Sequence, residues 1–234
     1  DLAAQGLAGV AFRQLFLGGD RMVLARYPNF DPQNPITGGW AYVDPQAPAE
    51  GTPFAPSPSG RRVLQYRAAD ARQWNDPTQG RVCIFPSFEW WNNFVRIDSV
   101  DPAQRTITLA GDCSYRISPG DRYYVMGLRE ELDAPGEWWL DEQTSTLWFW
   151  PPKPLETETV YAPVVQTILQ LDGVRHVTVQ GLAFEVCDGT AIRMQNAEHC
   201  RIAACTIRNV GEYHGSGVEV NGGKGNGIVG CDIS

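Results

Sequence analysis

A repeated pattern in the last third of the chain limits the folds that this sequence can adopt more than any other feature. Three stretches align with one another, and they begin at residues 169, 192 and 218, which are 23 and 26 residues apart. They are LQLDGVRHVTVQGLAF, IRMQNAEHCRIAACTI and VEVNGGKGNGIVGCDI. A period of this length is typical of architectures in which successive units stack on one another.

Apolar and polar residues alternate inside each stretch, in three short segments separated by tight corners. This period-two alternation indicates strands rather than helices. Equivalent inward positions recur in all three stretches: Leu169, Ile192 and Val218; Leu171, Met194 and Val220; Val179, Ile202 and Ile228; Leu182, Cys205 and Cys231; Phe184, Ile207 and Ile233. Three strands in each period predict a right-handed parallel β-helix over residues 161–234.

The cysteine and histidine side chains of the repeats fit the same stacking. Cys205 above Cys231 predicts a ladder of small buried groups, and His176 and His199 are predicted to stack on each other at a corner. The chain has six cysteines and none has CxxC zinc spacing. A disulfide framework is the alternative, although a chain of this size does not need one.

The turn after the third strand is the part of the repeat whose length changes. Eight residues separate Phe184 from Ile192, whereas eleven separate Ile207 from Val218. Solenoids keep their scaffold regular and place insertions on one face, often the binding face. The candidate catalytic residues are therefore Asp188, Glu212 and Asp232, and the candidate substrate-binding residues nearby are Glu185, Arg208, Tyr213 and His214.

Residues 1–160 lack the repeat and contain alternating segments bounded by Gly, Pro, Asn and Asp, which predict β-hairpins. One has its turn at Gly18-Gly19-Asp20 with a return strand over Met22–Ala25, and another turns at Asp101-Pro102. Residues 44–60 are Pro-rich and predict an exposed loop. We predict an all-β chain in which a β-sandwich or barrel-like domain (1–160) precedes the β-helix (161–234).

Tryptophans are concentrated in two places. GEWWLDEQTSTLWFWPP predicts a hairpin with its turn near Asp141–Ser145, and its aromatic residues favour packing over a sugar platform. SFEWWNNF differs, because Trp90 and Trp91 stand among amide side chains in a predicted loop. There, ligand contact and simple exposure are equally good interpretations.

Composition excludes some classes of partner. A net charge of −8 over 234 residues, without a basic stripe, argues against nucleic acid and suits a neutral partner such as a carbohydrate. No apolar stretch is long enough for a transmembrane helix, and no signal peptide is visible, so no membrane partner is expected. The chain opens on DLAAQGLAG and ends on GCDIS within a repeat, and we expect it to be part of a longer protein.

The order of these segments resembles a known group. LFLGGDRMVLARYPN, EWWNNFVRIDSVDPAQRTITL and GDRYYVMGLREELDAPGEWWLDEQTSTLWFWPP precede lines such as CTIRNVG. This order is similar to that of bacterial right-handed parallel β-helix proteins of the carbohydrate-active class, and especially to the group around glycoside hydrolase family 141. The resemblance implies a β-rich domain inserted near the start of the solenoid, a secreted or periplasmic location, and α-L-fucosidase or xylanase-like activity in a full-length form that is monomeric.

Glycoside hydrolysis normally uses two carboxylic acids that flank the bond, and strands of neighbouring coils are about 4.8 Å apart, which suits such a pair. The family's catalytic residues cannot be matched to positions of this sequence. A polysaccharide lyase or epimerase on the same scaffold is one alternative, and a non-catalytic glycan-binding protein is another. We expect no cofactor and no metal constellation, with calcium at Asp- or Asn-rich turns left open.

Overall fold

The computed structural model describes residues 1–45, 60–212 and 214–234. Its chain contacts define two compact units. The repeat unit comprises Asp1–Met22, Leu140–Leu147 and Pro151–Ser234, and the mixed unit comprises Val23–Trp139 and Trp148–Trp150. This division differs from a single boundary at residue 160, because the first 22 residues group with the repeats. Most of the predicted Pro-rich loop, residues 46–59, lies outside the described residues.

Short strands make up nearly all the regular structure. In chain order they are β1 (Phe16–Leu17), β2 (Asp20–Arg21), β3 (Val23–Leu24), β4 (Arg26–Tyr27), β5 (Ala41–Tyr42), β6 (Val63–Gln65), β7 (Arg81–Ile84), β8 (Asn93–Asp101), β9 (Thr106–Leu109), β10 (Arg122–Met126), β11 (Glu137–Asp141), β12 (Thr146–Phe149), β13 (Val160–Tyr161), β14 (Thr167–Asp172), β15 (Thr178–Gln180), β16 (Ala183–Cys187), β17 (Thr190–Gln195), β18 (Arg201–Ala203), β19 (Thr206–Val210), β20 (Val218–Asn221), β21 (Gly227–Val229) and β22 (Asp232–Ile233). Single 3₁₀ turns occur at Ala3–Gln5, Ala68–Asp70, Pro77–Gln79, Arg129–Glu131 and Leu155–Thr157. The fold is therefore all-β over the described residues, and none of its helices there has the length and apolar character of a membrane span.

The repeat unit contains three parallel sheets, β14-β17-β20, β15-β18-β21 and β16-β19-β22. Each sheet takes one strand from each of the three repeats. The observed pairs include Leu169 with Ile192 and Ile192 with Val218 in the first sheet, and Ile207 with Ile233 in the third. The register predicted from the repeat is confirmed.

The corners between strands share one backbone conformation from repeat to repeat. Gly173, Asn196 and Gly222 follow equivalent strands, and all three have positive φ, at 62°, 50° and 69°. Only glycine adopts this left-handed conformation without strain, and asparagine tolerates it better than most residues. The glycines and asparagine of the repeat are therefore required by the geometry of the corner.

Apolar columns inside the three sheets form the core of the repeat unit. Ile192, Met194, Ile202 and Ile207 of the middle repeat are fully buried. Leu182, which the repeat predicts to point inward, is 52% exposed. It lies just before β16, which is an edge strand with a neighbour on one side only, whereas the middle repeat is covered on both sides.

The predicted corner stack of histidines is confirmed. The rings of His176 and His199 lie 5.3 Å apart and are nearly parallel, with an interplanar angle of 7°. All six cysteines are free thiols. Cys205 donates to the carbonyl oxygens of Val179 and Ala203, so its thiol caps the corner backbone of its own and the preceding repeat.

The mixed unit is built on one antiparallel sheet of order β4-β10-β7-β8-β9-β6, with β5 also paired to β10. Its core is formed by side chains on these strands, including Leu64, Val82, Ile97 and Tyr123. The hairpin predicted around Asp101 is confirmed as β8 and β9, and the Asp101 carboxylate accepts hydrogen bonds from the backbone N–H groups of the turn.

A small three-stranded sheet of order β12-β11-β3 contains the tryptophan hairpin predicted from the sequence. Trp138 is buried in it, whereas Trp148 and Trp150 are 42% and 48% exposed. The return strand predicted over Met22–Ala25 is wrong, because the hairpin at Gly18 returns as β2, and β3 pairs in parallel with β11 instead.

Shortening an equivalent apolar side chain should destabilise the protein more in the middle repeat than in the third repeat. Ile202→Ala should lower the free energy of unfolding by about 2–5 kcal/mol, because it removes a fully buried side chain and leaves a cavity. Ile228→Ala, at the equivalent position of the third repeat, should cost about half as much or less, since Ile228 is 44% exposed. Urea unfolding followed by circular dichroism measures both, and equal losses would contradict the proposed stacking order.

The reactivity of the cysteine thiols should reflect how deeply each of them is buried. Burial raises the pKa of Cys83 to about 11 and that of Cys113 to about 12, and only Cys231 is not fully buried. Because the thiolate is the reactive form, we expect one thiol to react rapidly with Ellman's reagent at pH 8 and all six to react in guanidinium chloride. Cys231→Ser should remove the rapid phase, and a rapid phase that persists in this variant would contradict the assignment.

Candidate functional site

The third sheet and the turns that follow its strands carry most of the predicted site residues. Glu185 on β16 pairs in register with Arg208 on β19, and the carboxylate accepts a hydrogen bond from Arg208 Nε at 2.7 Å. Asp232 on β22 pairs in register with Thr206 and is exposed. These outward side chains form a polar face, in which Glu185 and Arg208 already neutralise each other.

The turns after β16 and β19 bring Asp188 and Glu212 together at one corner. The backbone N–H of Gly211 donates to Cys187 O at 2.9 Å, and that of Glu212 donates to Asp188 O at 3.3 Å. The parallel pairing of the strands thus continues into the turns. As a result, Asp188 and Glu212 of adjacent repeats are neighbours along the paired backbones, at the face where the repeat length varies.

Both carboxylate oxygens of Asp188 accept hydrogen bonds from side-chain amides. Gln14 Nε2 donates to Oδ1 at 3.0 Å, and Gln166 Nε2 donates to Oδ2 at 2.6 Å. Both oxygens therefore act as hydrogen-bond acceptors. Gln14 is itself 3% exposed, and its Oε1 is buried without a hydrogen-bond partner among the described residues.

Arginines of the N-terminal segment approach Glu212. Arg13 Nη1 lies 3.8 Å from the Glu212 carboxylate, and Arg21 Nη2 donates to Gly211 O at 3.2 Å. Burial lowers the pKa of the Arg21 guanidinium, and the charge of Glu212 partly offsets this. We call the group formed by Arg13, Gln14, Arg21, Gln166, Asp188 and Glu212 the turn site.

The turn after β19 folds back closely against its neighbours. A Cβ atom on Gly215 would lie 2.6 Å from Gly189 O and 2.7 Å from Gly211 Cα, so the backbone approach there requires glycine. His214 is exposed in this turn and has an interaction partner. Tyr213 lies outside the described residues.

Four members of the turn site are absent from the sequence-based set of candidates: Arg13, Gln14, Arg21 and Gln166. Gln14 is 174 residues away from Asp188 along the chain, and no spacing or motif connects them. One weak signal is present in the sequence. Gln14 is a polar residue between Phe12 and the buried Leu15, where an amide needs a partner once the segment packs.

The other two predicted substrate-binding residues lie in the mixed unit. Trp90 and Trp91 are 78% and 55% exposed in the loop between β7 and β8. Their side chains are therefore available to a ligand.

The carboxyl groups whose pKa is clearly raised also lie in the mixed unit. Burial raises the pKa of Asp121, Glu131 and Glu137. Glu137 accepts the backbone N–H groups of Asp133 and Ala134, and Glu131 accepts the indole N–H of Trp74. These buried groups serve the fold. No cluster of three or more His, Cys, Asp or Glu side chains suited to a metal ion occurs over the described part of the chain.

Comparison with known proteins shows a likeness in fold. No protein-family model matches the chain, and no curated protein matches it. A solved structure described as a glycoside hydrolase superimposes with a TM-score of 0.67 at 14% sequence identity, and the match covers 87% of this chain and 43% of that one. The chain therefore shares its all-β fold with that hydrolase and spans less than half of its length.

The hydrogen bonds of Asp188 predict a measurable contribution to stability. Asp188→Ala removes the acceptor of the buried Gln14 amide and should lower the free energy of unfolding by about 1–3 kcal/mol. Asp232→Ala is the matched control, since its carboxylate is exposed, and it should change stability by less than about 0.5 kcal/mol. Urea titration of both variants measures the difference, and an unchanged midpoint for Asp188→Ala would show that the amide contacts contribute nothing.

Proposed function

We propose that the chain is the N-terminal part of a right-handed parallel β-helix protein that hydrolyses glycosidic bonds in polysaccharides or oligosaccharides. Three parallel sheets that each take one strand per repeat support the β-helix. The fold likeness to a glycoside hydrolase and the sequence resemblance to the family 141 group support the carbohydrate substrate. The observation that carries the proposal is the placement of Asp188 and Glu212 from adjacent repeats at one corner.

Hydrolysis of a glycosidic bond requires one ionised carboxylate and one protonated carboxylic acid. The proposal assigns the ionised role to Asp188, because two amide donors hold both of its oxygens. It assigns the proton donor to Glu212 or Asp232. Arg13 already contacts Glu212, so Asp232, whose carboxylate is exposed, is kept as the second candidate.

The rest of the turn site suits a neutral polyhydroxyl ligand. Its amide and guanidinium groups donate hydrogen bonds, its carboxylates accept them, and sugar hydroxyls do both. Arg208, Glu185, His214 and Tyr213 are assigned to binding in this proposal. The same proposal includes a secreted or periplasmic location and a monomeric full-length form. Whether the activity depends on calcium is left to the test below.

For the lyase or epimerase alternative, the turn site supplies no lysine, and its two arginines contact Glu212 and the carbonyl oxygen of Gly211. Such enzymes commonly use a lysine, arginine or histidine as base with calcium on acidic sugars. Lys224 lies at another corner, where its ammonium is 4.0 Å from Glu198, and Arg175 pairs with the same carboxylate. A non-catalytic glycan-binding protein is distinguished from the hydrolase by turnover.

The direct test is release of reducing ends by the chain from fucosylated, xylan-type and pectic glycans, with and without calcium. We expect turnover on one neutral class, and we expect Asp188→Asn to reduce the rate by about 10²–10⁴-fold. Whichever of Glu212→Gln and Asp232→Asn causes a similar loss identifies the proton donor.

Glu142→Gln is the matched control, because Glu142 is an exposed carboxylate in the turn of the tryptophan hairpin. It should retain full activity. A folded chain that releases no reducing ends from any glycan, or an Asp188→Asn variant that remains fully active, would reject the turn site as the catalytic centre.

A further inference from the structure

The loop between β7 and β8 displays aromatic rings that the fold does not bury. Phe88, Trp90 and Trp91 are 62%, 78% and 55% exposed, and they occur within four consecutive residues. Exposed aromatic side chains that cluster in this way mark binding surfaces more often than chance exposure. We propose that residues 87–92, which we call the aromatic loop, form a glycan-binding surface that acts independently of the turn site and of the proposed hydrolysis.

Buried groups anchor the start of this loop. The backbone N–H of Ser87 donates to Asp121 Oδ1 at 3.0 Å, and the Ser87 hydroxyl donates to Arg116 O at 2.7 Å. Asp121 is 6% exposed and also accepts from the N–H of Ser118 at 2.6 Å. The loop therefore begins at a fixed point of the mixed unit.

A second anchor holds the middle of the loop. The Glu89 carboxylate lies 3.9 Å from Arg122 Nε. The Arg122 guanidinium lies 4.8 Å from the ring of Trp40 and 4.4 Å from that of Phe85, so stacking restricts it. Because stacking holds the Arg122 end of this contact, the ion pair restrains Glu89 in the middle of the loop.

The rings also support one another while leaving surface open. The Phe88 ring lies 5.5 Å from that of Trp90 with an interplanar angle of 37°, and it meets Tyr115 edge-on at 5.8 Å. Both are preferred aromatic arrangements. The contacts fix the tilt of Phe88 and Trp90, yet most of each side chain remains accessible.

The chemistry around the rings favours a neutral sugar polymer over other occupants. Glu89 and Arg122 compensate each other, so the surface offers no net charge for an ionic ligand. The Ser114 hydroxyl and Asn93 amide lie near the loop's end, where they hydrogen-bond each other at 2.8 Å. Sugar rings present C–H groups to aromatic faces and hydroxyls to such polar groups. An anionic membrane surface would instead require a cluster of basic residues.

Affinity electrophoresis of the chain in gels that contain xylan, xyloglucan, galactomannan or polygalacturonate tests this proposal. We expect retardation by at least one neutral glycan and little by polygalacturonate. Trp90→Ala and Trp91→Ala should each weaken binding by about 3- to 10-fold, and Trp90→Phe should restore much of it. Trp148→Ala is the matched control, because Trp148 is similarly exposed but packs on Arg129, and it should bind like the wild type.

Two further measurements separate this proposal from the proposed hydrolysis. Retardation of the wild type without release of reducing ends would support the aromatic loop and reject the proposed hydrolysis, whereas release of reducing ends without retardation would do the reverse. The binding surface would be overturned if no neutral glycan retarded the wild-type chain. It would also be overturned if Trp90→Ala migrated as the wild type does. If the chain bound no glycan but sedimented with phosphatidylcholine vesicles, the glycan-binding surface would be overturned in favour of a membrane-binding one.

Discussion

The in-register stacking of apolar columns is the constraint on which the repeat unit depends. Ile192, Ile202 and Ile207 are buried between equivalent residues of the flanking repeats, so a slip of one residue would turn every buried side chain outward. The same register continues past the strands. It places Asp188 and Glu212 at one corner, and the candidate site is thus a consequence of the packing that stabilises the core.

The N-terminal segment supplies hydrogen-bond donors to the turn site, whose carboxylates come from the repeats. It supplies Gln14 to Asp188, Arg13 to Glu212 and the Arg21 guanidinium to the turn backbone. Asn209 in return donates to Gly19 O at 2.8 Å. A surface turn is normally solvated, whereas here amide and guanidinium groups contact the carboxylates of the turn. This arrangement includes the Gln14 oxygen, which is buried without a hydrogen-bond partner among the described residues, and it makes the corner chemically distinct from the other corners.

The two units carry different chemistries. Hydrogen-bonding groups are collected at the turn site of the repeat unit, and exposed aromatic rings are collected on the aromatic loop of the mixed unit. The raised-pKa carboxyls Glu131 and Glu137 belong to neither, because backbone and indole N–H groups satisfy them inside the fold. A raised carboxyl pKa in this protein therefore indicates burial, and the functional candidates are recognised by their placement and exposure.

The sequence by itself determined the all-β class, the register of the repeats and the stack of His176 on His199, because each of these depends on short-range periodicity. It also located Asp188 and Glu212 on the variable turn. Only the tertiary structure decided that residues 1–22 join the repeats and that Gln14 reaches Asp188. Contacts between residues so distant along the chain leave no periodic trace, since they depend on how whole segments pack rather than on local backbone preference.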